Sequence, residues 1–279
     1  MNHIELNRAA EAIEKADAIM IGAGAGMGVE SGLPNFRGPQ GFWRAYPPYE
    51  SLNLDFHSIA NPALFARNPA LAWGFYGHRL AMYRTTAPHQ GFEILRGWSG
   101  KKPFGSFVHS SNVDGQFQKA GFPAERINEI HGSIHYLQCT QNCGIDIFPA
   151  GDLHIEVNEN TMTALEPFPA CPNCYALARP NILMFGDGDW DSARSDGQDE
   201  LFDNWIRELK EANAKLVVIE LGAGTAIPSV QNQSERISKA FKCPLIRINP
   251  DESWVPAGQI SLKEGAKAAL AALHEINSQ

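Results

Sequence analysis

Five short apolar runs constrain the fold more than any other feature: AIMI (18–21), FGSFVH (104–109), ILMF (182–185), KLVVIEL (215–221) and PLIRIN (244–249). A strand with one wet face alternates apolar and polar residues; a strand covered on both faces does not. The runs therefore read as strands of a parallel sheet with helices above and below it. Helical patterns lie between them, at 199–212 and in the closing stretch 261–278. At the start, Ile4, Leu6, Ala9, Ala10 and Ile13 recur at helical spacing. The expectation is a doubly wound α/β fold. Two segments break the rhythm. Residues 44–90 are rich in aromatics, prolines and helix formers, and 135–178 carry paired cysteines with little periodicity. They read as two insertions that build a smaller domain, leaving 1–43, 91–134 and 179–279 to the sheet; 279 residues suffice for both.

Composition excludes several classes. A net charge of −8 argues against non-specific binding to nucleic acid and favours basic or neutral partners. The first 22 residues scatter acids among the apolar positions, unlike a signal peptide. No apolar stretch approaches the roughly 20 residues that span a bilayer. A cytoplasmic protein is the expectation.

Of five cysteines, Cys139/Cys143 and Cys171/Cys174 form close pairs. Two such knuckles close a tetrahedral zinc shell with no open position for catalysis; the alternative is a set of buried thiols. Cys243, beside a strand, reads as a core thiol.

Behind the first run the chain reads GAGAGMGVESG, Gly22 to Gly32. The fingerprint G-x-G-x-x-G fails in every register, its third glycine falling on Met27, Val29 or Ser31. Glycine still lets backbone N–H groups approach a pyrophosphate, and Phe36 and Arg37 follow where a ligand could lie. After the second run come Asn112 and Asp114, at the ligand edge of an open α/β sheet, where Asx-turn chemistry is the other reading. His131, followed by Gly132, suits a general base near neutral pH.

These motifs, with the cysteine pairs and RPNILMFGD, occur in the order and approximate spacing of the sirtuins, which the chain resembles from about residue 8 to 275 as a divergent, bacterial-type member. Gly24 to Gly32 lies without gaps on the family's G-A-G-I-S-x-x-S-G, and Pro34-Asn35-Phe36-Arg37-Gly38 is similar to P-D-F-R-G. The resemblance implies a Rossmann-like domain with a small zinc domain, NAD as cofactor, and deacylation of modified protein lysines. It assigns the cofactor to Gly24, Ala25, Gly26, Glu30, Phe36, Arg37, Ser111, Asn112, Asp114, Gly222, Ala223, Gly224, Asn249, Gly265 and Ala266. Catalysis falls to His131, Asn112 and Asp114; substrate contacts fall to Val113, Phe185 and Gly186. In this family the acyl oxygen of the lysine attacks the anomeric carbon as nicotinamide leaves. His131 would take a proton from a ribose hydroxyl, Asn112 would position ribose and water, and Asp114 would hold the carboxamide.

Departures accompany the match. Gly28 stands for the family's Ser, Ala23 for Thr, Asn35 for Asp, Ser110-Ser111 for Thr-Gln, Gln116-Phe117 for Leu-His, and Gly222-Ala223-Gly224 for G-T-S. They bear on NAD affinity and acyl choice more than on reaction class. Tyr76 and Arg79, three apart on one helical face, resemble the Y-x-x-R by which some sirtuins bind succinyl or malonyl chains; a half-buried helix face with a snorkelling Arg is the other reading. Two further functions keep the NAD crevice: ADP-ribosyl transfer to protein, and a non-catalytic NAD or ADP-ribose sensor.

Overall fold

The structure is a computed structural model that describes residues 2–34 and 38–278. Its strands, in chain order, are β1 (Ala18–Ala23), β2 (Ser106–Ser110), β3 (Ile127–Glu129), β4 (Gly132–Cys139), β5 (Phe148–Pro149), β6 (Val157–Asn158), β7 (Thr163–Ala164), β8 (Ala178–Ile182), β9 (Leu216–Leu221), β10 (Leu245–Ile248) and β11 (Ile260–Leu262). Six of them form one sheet in the order β11-β10-β9-β1-β2-β3, every pairing parallel. β1 and β9 are buried at every position, as non-alternating runs require.

Successive side chains of β1 serve opposite faces. Ile19 and Ile21 pack with Leu6, Ile13, Leu95 and Leu270 of helices His3–Lys15, Gln90–Ser99 and Ala266–Asn277. Ala18 and Met20 pack with Phe202, Trp205 and Ile237 of helices Ala193–Glu211 and Ser229–Phe241. The chain runs from β1 outward to β2 and β3, then resumes on the other side of β1 with β9. The switch point therefore lies between β1 and β9, and its crevice opens at their carboxyl ends.

A third cluster lies apart from both faces. Tyr46, Tyr49, Phe65, Trp73, Phe75 and Tyr76 from the first aromatic stretch, with Phe42 just ahead of it, pack with Ile134 of β4 and with Leu137, Ile155 and Met162 from the cysteine-bearing stretch. Its main helix, Pro69–Thr85, starts on Asn68, whose side chain accepts from the Leu71 N–H, with Pro at the first turn.

Several expectations need correction. ILMF is not a strand of the parallel sheet: β8 ends at Ile182 and pairs antiparallel with β4, which also pairs with β5. The run conceals an alternation, because Ile182 and Met184 are buried and Leu183 is exposed. Phe104 and Gly105 precede β2, and Gly105 takes a left-handed φ of 64°. The helix expected at 199 starts at Ala193; its first turns are polar, so periodicity is invisible before Phe202. Residues 261 and 262 belong to β11, and the last helix starts at Ala266. Ile4 faces solvent. Among the described residues, no helix is long and apolar enough to cross a membrane.

Candidate active site

The glycine turn leaves β1 and runs against the loop that leaves β9. Gly24 N–H donates to the Leu221 carbonyl and Gly26 N–H to the Gly222 carbonyl, each at 3.0 Å. A Cβ on Gly26 would stand 2.6 Å from Gly222 Cα, and Gly222 itself has a φ of 59°, so neither tolerates a side chain. Ala25–Ser31 then winds as a tight 3-10 helix. A Cβ at Gly28 would stand 3.0 Å from Leu33 Cδ1, so a serine there would press on that side chain.

Neighbouring strand exits are tied to this turn. Asn112 Nδ2 donates to the Gly24 carbonyl at 3.0 Å, and Ser111 N–H donates to the Ala23 carbonyl at 3.0 Å. Asn249, fully buried at the end of β10, donates from Nδ2 to the Ala223 carbonyl at 2.8 Å; its Oδ1 accepts from Asp251 and Glu252 N–H. Glu252 in turn accepts from Thr225 N–H beside Gly224, a carboxylate that sequence reasoning missed. Glu30 forms a separate junction: its carboxylate accepts from Lys267 N–H at 2.6 Å and covers Gly265, capping the helix that opens with Ala266. Phe36 and Arg37 lie outside the described residues.

His131 leaves β3, and its carbonyl accepts from Leu183 N–H. Gly132 follows with a φ of 77°, where a Cβ would strike the Asn181 carbonyl oxygen at 2.1 Å; the chain turns here only as glycine. Burial lowers the pKa of His131 below its ordinary value, opposed by a backbone hydrogen bond with Ser111, so the imidazole is neutral near pH 7. Asp114 is buried two residues beyond Asn112, its Oδ1 accepting from Gln116 N–H at 2.9 Å. Burial raises its pKa to about 6, with Glu129 adding and the Gln116 bond and Arg79 opposing. His135 Nε2 lies 3.0 Å from the Asp114 carbonyl oxygen.

Arg79 and Tyr76 are both buried in the aromatic cluster. Arg79 donates from Nε (2.9 Å) and Nη2 (2.5 Å) to the Tyr83 hydroxyl, with its guanidinium 5.0 Å from the Phe75 ring and 5.9 Å from that of Tyr76. Tyr83 was legible in principle, four residues from Arg79 on the same helix. Val113 joins this cluster. Phe185 stacks on His57 at 3.9 Å and donates its N–H to the Ala60 carbonyl, with Gly186 exposed beside it.

The four paired cysteines come together from β4, its following turn and the segment before β8, their sulfurs all within 4.8 Å of one another. Cys139–Cys174 and Cys143–Cys171 are 3.5 and 3.6 Å apart. Zinc–sulfur bonds of about 2.3 Å in a tetrahedron put sulfurs about 3.8 Å apart. The donor set and spacing fit a structural zinc. Cys243 is buried away from it, in the core.

Fold and site define a doubly wound sheet with a glycine-lined crevice at its switch point and a closed thiolate module beside it. Residues 24–220 match the Sir2 family, and the chain belongs to that family. It is 28% identical to an NAD-dependent protein deacylase of Aquifex aeolicus over 254 residues, covering 90% of this chain and 92% of that one. A second NAD-dependent protein deacylase, from Thermus thermophilus, is 29% identical over 276 residues, covering 96% and 93%. A solved Sir2 homologue–NAD complex shares the fold at a TM-score of 0.71 and 24% identity, covering 98% of this chain and 93% of that one. A mutant Sir2 homologue solved with ADP-ribose gives 0.68 and 25%, covering 100% and 97%.

Proposed function

We propose that the chain is an NAD-dependent protein lysine deacylase that consumes NAD and releases nicotinamide and O-acyl-ADP-ribose. The observation that carries this reading is the convergence of β1, β2, β3 and β9 exits on one crevice, with a neutral His131 bonded to the Ser111 backbone, next in the chain to Asn112. NAD supplies the nicotinamide–ribose bond whose cleavage opens the anomeric carbon to the acyl oxygen. His131 accepts the proton of a ribose hydroxyl, a task for a neutral imidazole. Asn112 orients the ribose and a water. Asp114, ionised above about pH 6, accepts from the carboxamide of nicotinamide. By the family resemblance, Phe36 would screen the reacting sugar and Arg37 would help order the loop. Positioning and exclusion of water supply most of the rate gain.

Val113, Phe185 and Gly186 would line the acyl-lysine, and Arg79 with Tyr76 would favour acidic acyl chains, Tyr83 holding the guanidinium in place. The division into a sheet domain (1–43, 91–134, 179–279) and a small zinc domain (44–90, 135–178) is supported by the aromatic cluster, which draws most of its members from the latter two segments and meets the former through Leu33, Val113, Ile182 and Met184. A reducing compartment such as the cytoplasm suits four thiols kept for a metal. The test incubates the protein with NAD and acetyl-, succinyl- and malonyl-lysine peptides, following nicotinamide and peptide mass. Loss of the acyl mass in step with nicotinamide is expected. Nicotinamide release with intact peptide and ADP-ribose on protein would replace deacylation by ADP-ribosyl transfer.

A further inference from the structure

A second concave site lies at the β3 edge of the sheet, two strands away from β1 and its crevice. It is a cavity of about 360 Å³ between the end of helix Pro69–Thr85, the short helix Gln116–Lys119, β4 and the start of helix Ala193–Glu211. Tyr83, Arg84, Lys119, His135, Tyr136 and Arg194 line it. Arg84, Lys119 and Arg194 carry fixed positive charge, on a chain whose net charge is −8. Among the described residues, Arg194 pairs with Glu129 through Nη2, and its guanidinium lies 4.3 Å from the centre of the Tyr136 ring. The other two cations have neutral partners. Lys119 Nζ donates to the Arg84 and Thr86 carbonyls at 2.6 and 2.7 Å. Arg84 donates from Nη1 and Nη2 to the Leu153 and Gly151 carbonyls, each at 2.5 Å. These carbonyls hold the side chains in place without cancelling their charge, and both cations keep N–H groups unspent. Both also act on one ring. Burial lowers the pKa of His135; the Asp114 carbonyl and Glu129 oppose that shift, and Arg84 and Lys119 add to it. The acids near the cavity are Glu129, paired with Arg194, and Asp114, which Arg79 faces. The charges of Arg84 and Lys119 are left over, in a concave wall that focuses their field.

We propose that this cavity binds a small organic phosphate monoester, with the phosphate toward Arg84 and Lys119 and the carbon body against Tyr83 and Tyr136. A phosphate monoester carries close to two negative charges near neutral pH and offers strong acceptor oxygens. It answers both cations, where a carboxylate would leave one unanswered. The volume is about twelve times the roughly 30 Å³ share of one liquid water, more than a bare phosphate fills. The two tyrosine rings supply apolar wall for the remainder. The site stands apart from whatever the crevice at β1 and β9 takes.

The probe is phenyl phosphate, followed through backbone amide shifts of the full chain at pH 7.5, with ADP-ribose present in excess to occupy the crevice. Saturable shifts are expected at Gly115, Gln118, Ser133 and Gln198, which border the cavity. Phenol and inorganic phosphate should each bind at least about tenfold more weakly, since one lacks the charge and the other the apolar body. Lys119→Gln and Arg84→Gln keep a donor for the carbonyls and should each weaken phenyl phosphate by about threefold to fivefold, leaving phenol unaffected. Phenol or inorganic phosphate binding as tightly as phenyl phosphate would overturn the proposal, and that comparison needs no variant to fold. Unchanged affinity in both variants would overturn it too, as would the absence of saturable shifts. Shifts confined to the glycine turn and the loop after β9 would place the probe in the crevice and overturn it equally.

Discussion

Around the parallel sheet, the polar chemistry sits on short exits from buried strands; in the aromatic cluster beside it, the buried Arg79 is held by other side chains. Asn112, His131 and Asn249 follow β2, β3 and β10 within three residues, and backbone groups fix them. Arg79 is fixed by the Tyr83 hydroxyl and by aromatic rings, on a helix packed against two-residue strands and the cysteine module. The sheet carries its own apolar core on both faces and orders its exits without help. The second region has short strands and needs a cross-link. On the proposed function, the reaction class would belong to the sheet half, and the choice of acyl chain to the half that the cysteine site cross-links.

The largest effect should come from zinc. Structural zinc contributes on the order of 10 kcal/mol in small modules. Cys171→Ser, or chelation, should raise hydrogen exchange across β4 and β8 while β1 and β9 stay protected. Equal loss of protection in both halves would break the comparison.

Asp114→Asn should lower nicotinamide release by on the order of a hundredfold, as loss of one preorganised group does. It should also stabilise the fold above pH 6. The Asp114 pKa is raised from 3.8 to about 6 in the folded chain, so the folded state binds the extra proton between those values. Wild-type stability therefore rises as pH falls from about 6 toward 4, and the advantage of the Asn variant, at most about 3 kcal/mol, fades over the same window. Thermal melts at pH 5 and pH 8 measure it; an equal difference at both would contradict the buried-charge account. In the same acid range, wild-type activity should fall below about pH 6, since Asp114 loses its charge there and His131 begins to gain one at lower pH.

The smallest effect concerns the acyl pocket. Tyr83→Phe removes the acceptor that holds Arg79 and should shift the succinyl-to-acetyl activity ratio severalfold, with nicotinamide exchange unchanged. Arg79→Met should shift it further. An unchanged ratio in both would detach Arg79 from substrate choice.

Much of the sheet was legible because burial on both faces leaves an unbroken apolar run, as in β1, β9 and β10. β3 and β11 escaped because three residues including Asn128 and Glu129 carry too little pattern, and ILMF misled because an all-apolar run hides alternation. The cysteine module was readable from spacing, and the places of Asn112 and Asn249 beside the glycine loops from motif order. His135 and Glu252 were not, since their places come from contacts across the fold rather than from local sequence, whereas the Arg79–Tyr83 pair is a local i, i+4 contact.

The central claim, that strand exits assemble an acyl-transfer centre led by His131, is tested most directly by His131→Ala with NAD and an acyl-lysine peptide. Deacylation should drop by at least about a hundredfold while the chain keeps its melting temperature and still binds ADP-ribose. Deacylation within a few-fold of wild type would contradict the account.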